Sequence, residues 1–223
     1  RIFPISLKMC KLNAFVNTKS GGIKSFIRKY FNLFPKAAEK QKSLNEFVDQ
    51  RFLEMGHQMY EKLGLNFNGS FDNRWPEVGG NNLPGTLPDN LKEILLNYYY
   101  LINQYIYKII EEFISTNKTD FCNCLGPLVG FTNRDIIQVS CFYRKNNTTQ
   151  NRHHFEKIEV LDWNDIKPDL NNVKLQTIKK NVSSFELDFT KKTLQIRVKP
   201  MNKFTVPGLK INCSVKNKSD SWK

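Results

Sequence analysis

Apolar residues recur at helical spacing along the first half of the chain and in alternation along the second, and the change falls near residue 117. Positions 23, 26, 27, 30 and 31 are apolar with Lys24, Arg28 and Lys29 between them, which predicts a short basic amphipathic helix over residues 23–31. Past Pro35, the stripe Leu44, Phe47, Val48, Phe52, Met55, Met59 and Leu63 predicts a second helix from 37 to about 63, ended by Gly64. Residues 66–89 are rich in Gly, Pro and Asn and read as a long loop, turned at Gly79-Gly80 and Pro84-Gly85. Asp89 follows Pro88 and can cap a third helix from 91 to about 115, whose apolar positions cover so wide a face that most of it must be buried.

The remainder reads as strands. Segments 135–143 and 155–161 come first. A hairpin follows, 185–189 against 194–198, turning near Lys191-Lys192, with Phe185, Leu187 and Phe189 on one face and Leu194, Ile196 and Val198 likewise. Residues 209–215 complete this C-terminal set. At the other end, residues 1–7 read as a strand already in progress, and the polar stretch 11–22, closing on Ser20-Gly21-Gly22, reads as a loop. A strand under way at a first residue that is Arg1 rather than Met is the expectation for a fragment of a longer protein. No internal repeat interrupts this order.

Composition narrows the class of partner. Hydrophobic residues at 40% and aromatics at 13% are those of a folding chain rather than a disordered one. Against 21 Asp and Glu stand 34 Lys and Arg, a net charge of +13, with a sequence pI of about 9.5. That excess favours a polyanion, either nucleic acid or an anionic membrane surface. The absence of any apolar run of about 18 residues argues against a membrane-spanning helix and for a soluble chain. Five cysteines at irregular spacing (10, 122, 124, 141 and 213) do not form a disulfide framework, which points to a reducing, cytoplasmic compartment. Cys122-x-Cys124 with Cys141, His153 and His154 lacks the paired CxxC spacing of a zinc knuckle, and His57, inside the second helix, reads as structural or exposed. No nucleophile elbow, phosphate-binding loop or dinucleotide fingerprint is present.

The chemistry-bearing candidates lie near the start. On the strand Ile5-Ser6-Leu7-Lys8, Ser6 and Lys8 share a face because side chains two apart project together. This strand, the segment Asn13-Ala14-Phe15-Val16-Asn17-Thr18-Lys19-Ser20-Gly21-Gly22, and two later stretches together resemble type II restriction endonucleases of the PD-(D/E)xK nuclease superfamily. The later stretches are Leu194-Gln195-Ile196-Arg197-Val198-Lys199-Pro200-Met201-Asn202-Lys203-Phe204 and Lys210-Ile211-Asn212-Cys213-Ser214.

In that family an upstream Asp and an acidic-x-Lys pair on the next strand cluster at one end of a sheet, bind Mg²⁺ and place the lysine beside the attacking water. The resemblance implies that Lys8 is that lysine and that Ser6 stands at the acidic position, where it is a weak metal ligand. The upstream Asp would precede Arg1, which leaves the metal ligands unknown. Asn13, Asn17, Thr18, Lys19, Ser20, Lys24 and Arg28 would then approach the DNA backbone. Arg197, Lys199, Asn202 and Lys203 form a second basic region on or beside the C-terminal sheet, suited to a backbone or a major groove.

The resulting expectation is an α+β fold: a helical N-terminal half following a catalytic-type strand, then a mixed or antiparallel β-sheet in the C-terminal half. Residues 1–116 would hold the remainder of a nuclease core with its helices, and 117–223 a β-rich DNA-recognition region, either separately or as one continuous domain. The implied function is sequence-specific, Mg²⁺-dependent hydrolysis of double-stranded DNA. The alternative is a nucleic-acid-binding protein without catalysis or an inactive endonuclease fragment. A homodimer is a further expectation, since palindromic DNA imposes two-fold symmetry.

Overall fold

Local patterning holds for the long helices, α2 (Ala37–Lys62) and α3 (Asp89–Thr116), and for the short basic α1 (Ile23–Tyr30). The computed structural model describes residues 3–72, 74–75, 84–144 and 154–218; the first two residues, Gly79-Gly80 and His153, on which some expectations fell, lie outside the described residues. The long helices lie in the first half and six of the eight strands in the second, so the fold is α+β.

The strands form two sheets rather than one. In the smaller, β1 (Ile5–Lys11) pairs in parallel with β3 (Ile137–Arg144), which pairs antiparallel with β4 (His154–Leu161). The larger is antiparallel throughout and follows the order β2-β8-β7-β6-β5. Its strands are β2 (Val16–Gly22), β5 (Lys174–Leu175), β6 (Ser184–Asp188), β7 (Lys192–Pro200) and β8 (Leu209–Asn217). Both sheets therefore pair a strand from the first 22 residues with strands beyond residue 117.

Residues 16–22 correct the expectation of a polar loop. This stretch alternates nothing apolar with anything polar, yet it extends because its backbone pairs with β8 from Val16 opposite Val215 to Gly22 opposite Lys210. The register slips between Asn17 and Lys19, leaving Thr18 as a bulge. Two short helices also went unread, α4 (Lys118–Cys124) and α5 (Trp163–Leu170). Both are too brief to show a period and are set by their caps instead. The Asn117 side chain accepts from the Asp120 amide, while Asp162 and Asp165 form a reciprocal capping box.

One continuous core joins the helices to the inner face of the larger sheet. Leu194, Ile196 and Val198 of β7 and Ile211 and Cys213 of β8 lie buried there, and α3 packs against β6 and β7. Buried Gln41 of α2 ties α1 down: its amide nitrogen donates to the Ile23 carbonyl (3.0 Å) and its oxygen accepts from the Ile27 amide (2.8 Å). The long loop contributes to the core as well. Trp75 is buried against Tyr60, Phe71 and Phe204.

The smaller sheet is arranged the other way. Its apolar residues Ile5, Leu7, Met9, Phe155, Ile158 and Val160 stand 54–67% exposed, and its inner face carries polar groups. No helix among the described residues is long and apolar enough to cross a membrane.

Candidate nucleic-acid interface

Lys8 projects from the inner face of β1 into a narrow cleft where the two sheets meet. Parallel pairing puts Lys8 opposite Ser140 of β3, and antiparallel pairing puts Ser140 opposite Glu159 of β4. One row of the small sheet thus presents a cation, a hydroxyl and a carboxylate on the same side. The far wall comes from the larger sheet, where Lys192 begins β7 opposite Asn217 at the end of β8.

The two walls are bonded to each other through Glu159. Its carboxylate pairs with the Lys192 ammonium at 3.0 Å and accepts from the Asn217 amide at 3.4 Å, and Lys192 also donates to Asn217 at 2.6 Å. The two charged side chains are only 12% and 20% exposed, so solvent screens this pair less than an ordinary surface pair. No hydrogen bond or ion pair joins Lys8 to another described residue, which leaves its ammonium available at the cleft. The free space enclosed is about 30 Å³, enough for a water molecule or two but not for a sugar–phosphate backbone. A polynucleotide would lie across the mouth.

Gln138 and Cys10 complete the lining. Gly130, at φ 104°, leaves room for Gln138: a β-carbon there would stand 2.6 Å from the Gln138 amide nitrogen. Burial pushes the Cys10 thiol above its ordinary value, so it is a neutral packing group rather than a nucleophile.

Ser6, two residues before Lys8, lies on the same inner face opposite Gln138. Several other candidates are engaged in holding the fold. The Thr18 hydroxyl donates to the Leu128 carbonyl at 2.5 Å and lies 3.1 Å from that of Cys213, so the bulge in β2 is what aims it inward. With its amide turned so that the nitrogen faces the carbonyls, Asn17 donates to Cys213 at 2.9 Å, and the Ser20 hydroxyl donates to Asn212 at 2.8 Å. Lys24 pairs with Asp49 of α2 at 2.8 Å. Asn13 occupies the turn after β1 at φ 60°, a conformation Asn tolerates, and is exposed, as is Arg28 on α1. Lys19 pairs opposite Cys213.

Arg197 and Lys199 share the outer face of β7, opposite Asn212 and Lys210 of β8. The Arg197 Nε is buried with no hydrogen-bond partner among the described residues. Asn202 and Lys203 are exposed in the loop between β7 and β8. Of the candidates, Lys8 and Thr18 line the cleft, Ser6 lies on the same strand face as Lys8, Arg197 and Lys199 share the outer face of the larger sheet, and the others are spread over the turn after β1, β2, α1 and the β7–β8 loop. Glu159, Lys192 and Asn217 were not singled out from the sequence. The available signal was Glu159 itself, a carboxylate set between Ile158 and Val160 on an alternating strand.

A magnesium ion is not matched by a preformed set of ligands. Among the described residues Glu159 is the one carboxylate lining the cleft, and it is already held by Lys192. Among the described residues no group of three or more His, Cys, Asp or Glu side chains converges as a metal site. Compared with protein-family models, with curated proteins and with solved structures, the chain matches none of them.

Proposed function

We propose that this chain binds double-stranded DNA as part of a type II restriction endonuclease, with the cleft at Lys8 as the point of phosphodiester hydrolysis. The observation that carries the reading is the row Lys8, Ser140 and Glu159, with an unpaired lysine beside a space of water size. An ammonium there can stabilise charge developing on a phosphate across the mouth and orient a water beneath it. The net charge of +13 and the basic outer face of β7 and β8 supply the sequence-independent attraction to the backbone. Magnesium dependence belongs to the proposal through the resemblance alone, and no step is assigned to the ion.

Non-catalytic binding is the second reading, and one observation favours it. The carboxylate at the cleft is already neutralised by Lys192.

Incubating the protein with plasmid and Mg²⁺, with an EDTA control, separates the two. Discrete fragments are expected, and Lys8→Ala should abolish them while the DNA gel shift is retained. Binding that weakens steeply with salt but is never accompanied by cutting assigns the non-catalytic reading. Absent or salt-insensitive binding overturns both.

A further inference from the structure

We propose that the open pocket at the entry to β3 binds a single unpaired nucleotide, its base stacked on Trp163 and its phosphate facing Arg134. The pocket has a volume of about 500 Å³, far larger than the 30 Å³ of the cleft at Lys8. Small-molecule sites run from about 300 to 1,000 Å³. Its walls are the 3-10 turn Gly126–Val129, the loop that follows, and the start of α5.

The aromatic wall is held in place before any ligand arrives. Trp163 is the first residue of α5, whose start is fixed by the capping box of Asp162 and Asp165. Its ring lies against the backbone of Gly126, where a β-carbon would stand 2.9 Å from Cζ3. The Phe131 amide closes this turn by donating to the Gly126 carbonyl at 2.9 Å, and the Phe131 ring sits 6.2 Å from that of Trp163 at an angle of 56°. Trp163 is half-buried with a tilted rather than stacked neighbour, which leaves ring surface for a planar ligand.

The rim is polar and unengaged. Asn123, Thr132 and Arg134 are exposed, and no hydrogen bond or ion pair joins their side chains to another described residue. The Asn133 amide oxygen accepts from the Asp135 backbone at 3.1 Å, which leaves the amide nitrogen as a donor. Among the described residues lining the pocket, Arg134 is the one charged side chain, so the ligand carries negative charge. An aromatic face, amides and a hydroxyl for a hydrogen-bonding edge, and a guanidinium for one phosphate together suit a nucleotide outside a duplex. A paired base hides its faces and its pairing edge, so the pocket selects against it.

Trp163 follows Glu159 by four positions, which places their Cα atoms at most about 14 Å apart. A strand held over the cleft therefore has a neighbouring nucleotide within reach of the pocket. That source of ligand rests on the proposed function, whereas capture of a free nucleotide does not.

Titration with the nucleoside monophosphates of adenine, guanine and cytosine tests the pocket, read by tryptophan fluorescence and by calorimetry. Saturable quenching is expected with at least one of them, and the matching nucleoside should bind at least about tenfold more weakly because it lacks the group that meets Arg134. Arg134→Ala, on the surface, should cause the same loss with an unchanged urea midpoint. Trp163→Phe should keep the calorimetric binding but lose the quenching, and Trp163→Leu should weaken binding about tenfold. A second arm compares a DNA duplex carrying one unpaired nucleotide with the fully paired duplex. Wild type should prefer the former about tenfold, and Trp163→Leu should erase the preference without altering affinity for the paired duplex. Binding of a free nucleotide, or preference for the unpaired one, supports the inference and identifies the source. Neither result, equal binding of methyl glucoside, or binding that Arg134→Ala and Trp163→Leu both leave unchanged overturns it. Paired-duplex binding without either result leaves the proposed function standing, while free-nucleotide binding without any duplex binding removes that function and keeps the pocket.

Discussion

The larger sheet turns Leu194, Ile196 and Val198 toward the helices and leaves Arg197 and Lys199 outside, while the smaller sheet turns Lys8, Ser140 and Glu159 inward and leaves Leu7, Val139 and Val160 outside. Both strand sets alternate with the same period of two, and the period is blind to which phase faces the core. What differs is the covering element. The larger sheet meets α1 and α3, whose apolar stripes demand apolar partners. The smaller meets the ends of β2, β7 and β8, where Lys192 and Asn217 demand polar ones.

The sharpest way to break this contrast is to remove the same kind of side chain from each sheet. Ile196→Ala on the inner face of β7 should destabilise the protein by about 2–5 kcal/mol in urea unfolding, because Ile196 is fully buried and its neighbours cannot close the space. Next comes a pH effect at the larger sheet. Burial pushes the Cys213 thiol up to about 12. A group whose value is raised on folding contributes in full below its ordinary value near 9 and loses that contribution as pH rises toward 12. Stability should therefore fall through this window by up to about 1.4 kcal/mol per pH unit for this thiol, and Cys213→Ala should flatten the slope of urea midpoint against pH above 9. The smallest effect is expected on the open face. Val160→Thr should leave unfolding of the dilute monomer within about 0.5 kcal/mol of wild type; a loss of 2 kcal/mol would mean that the face is packed after all.

These differences explain how much was legible beforehand. The stripe from Leu44 to Met59 and the wide face from Leu91 to Phe113 carried α2 and α3, because long helices repeat their period several times. The hairpin of β6 and β7 was legible for the same reason. Strand β2 was not, since Asn17, Thr18, Lys19, Ser20 and the two glycines have no periodicity and are extended by a partner that arrives only at residues 209–217. At the cleft, Lys8 could be singled out from its strand, but Glu159 and Lys192 become neighbours only when two sheets meet, and no local pattern encodes that meeting. Likewise Thr18, Ser20 and Lys24 have side chains suited to phosphate, yet each is bonded within the fold.

The strand partnerships also set a timetable for the growing polypeptide. Ile5 waits for Ile137, and Val16 waits for Val215. At 5–20 residues per second the ribosome needs about 10–40 seconds to deliver β8 after β2 has emerged, while α1, α2 and α3 can form from local contacts in far less. During that interval β2 is a bare edge, and its lysine, asparagine, serine and glycine content is what keeps such an edge from recruiting another chain. Strand β1 has no such protection beyond Lys8 and Lys11, so a nascent chain is most vulnerable to association through residues 5–11.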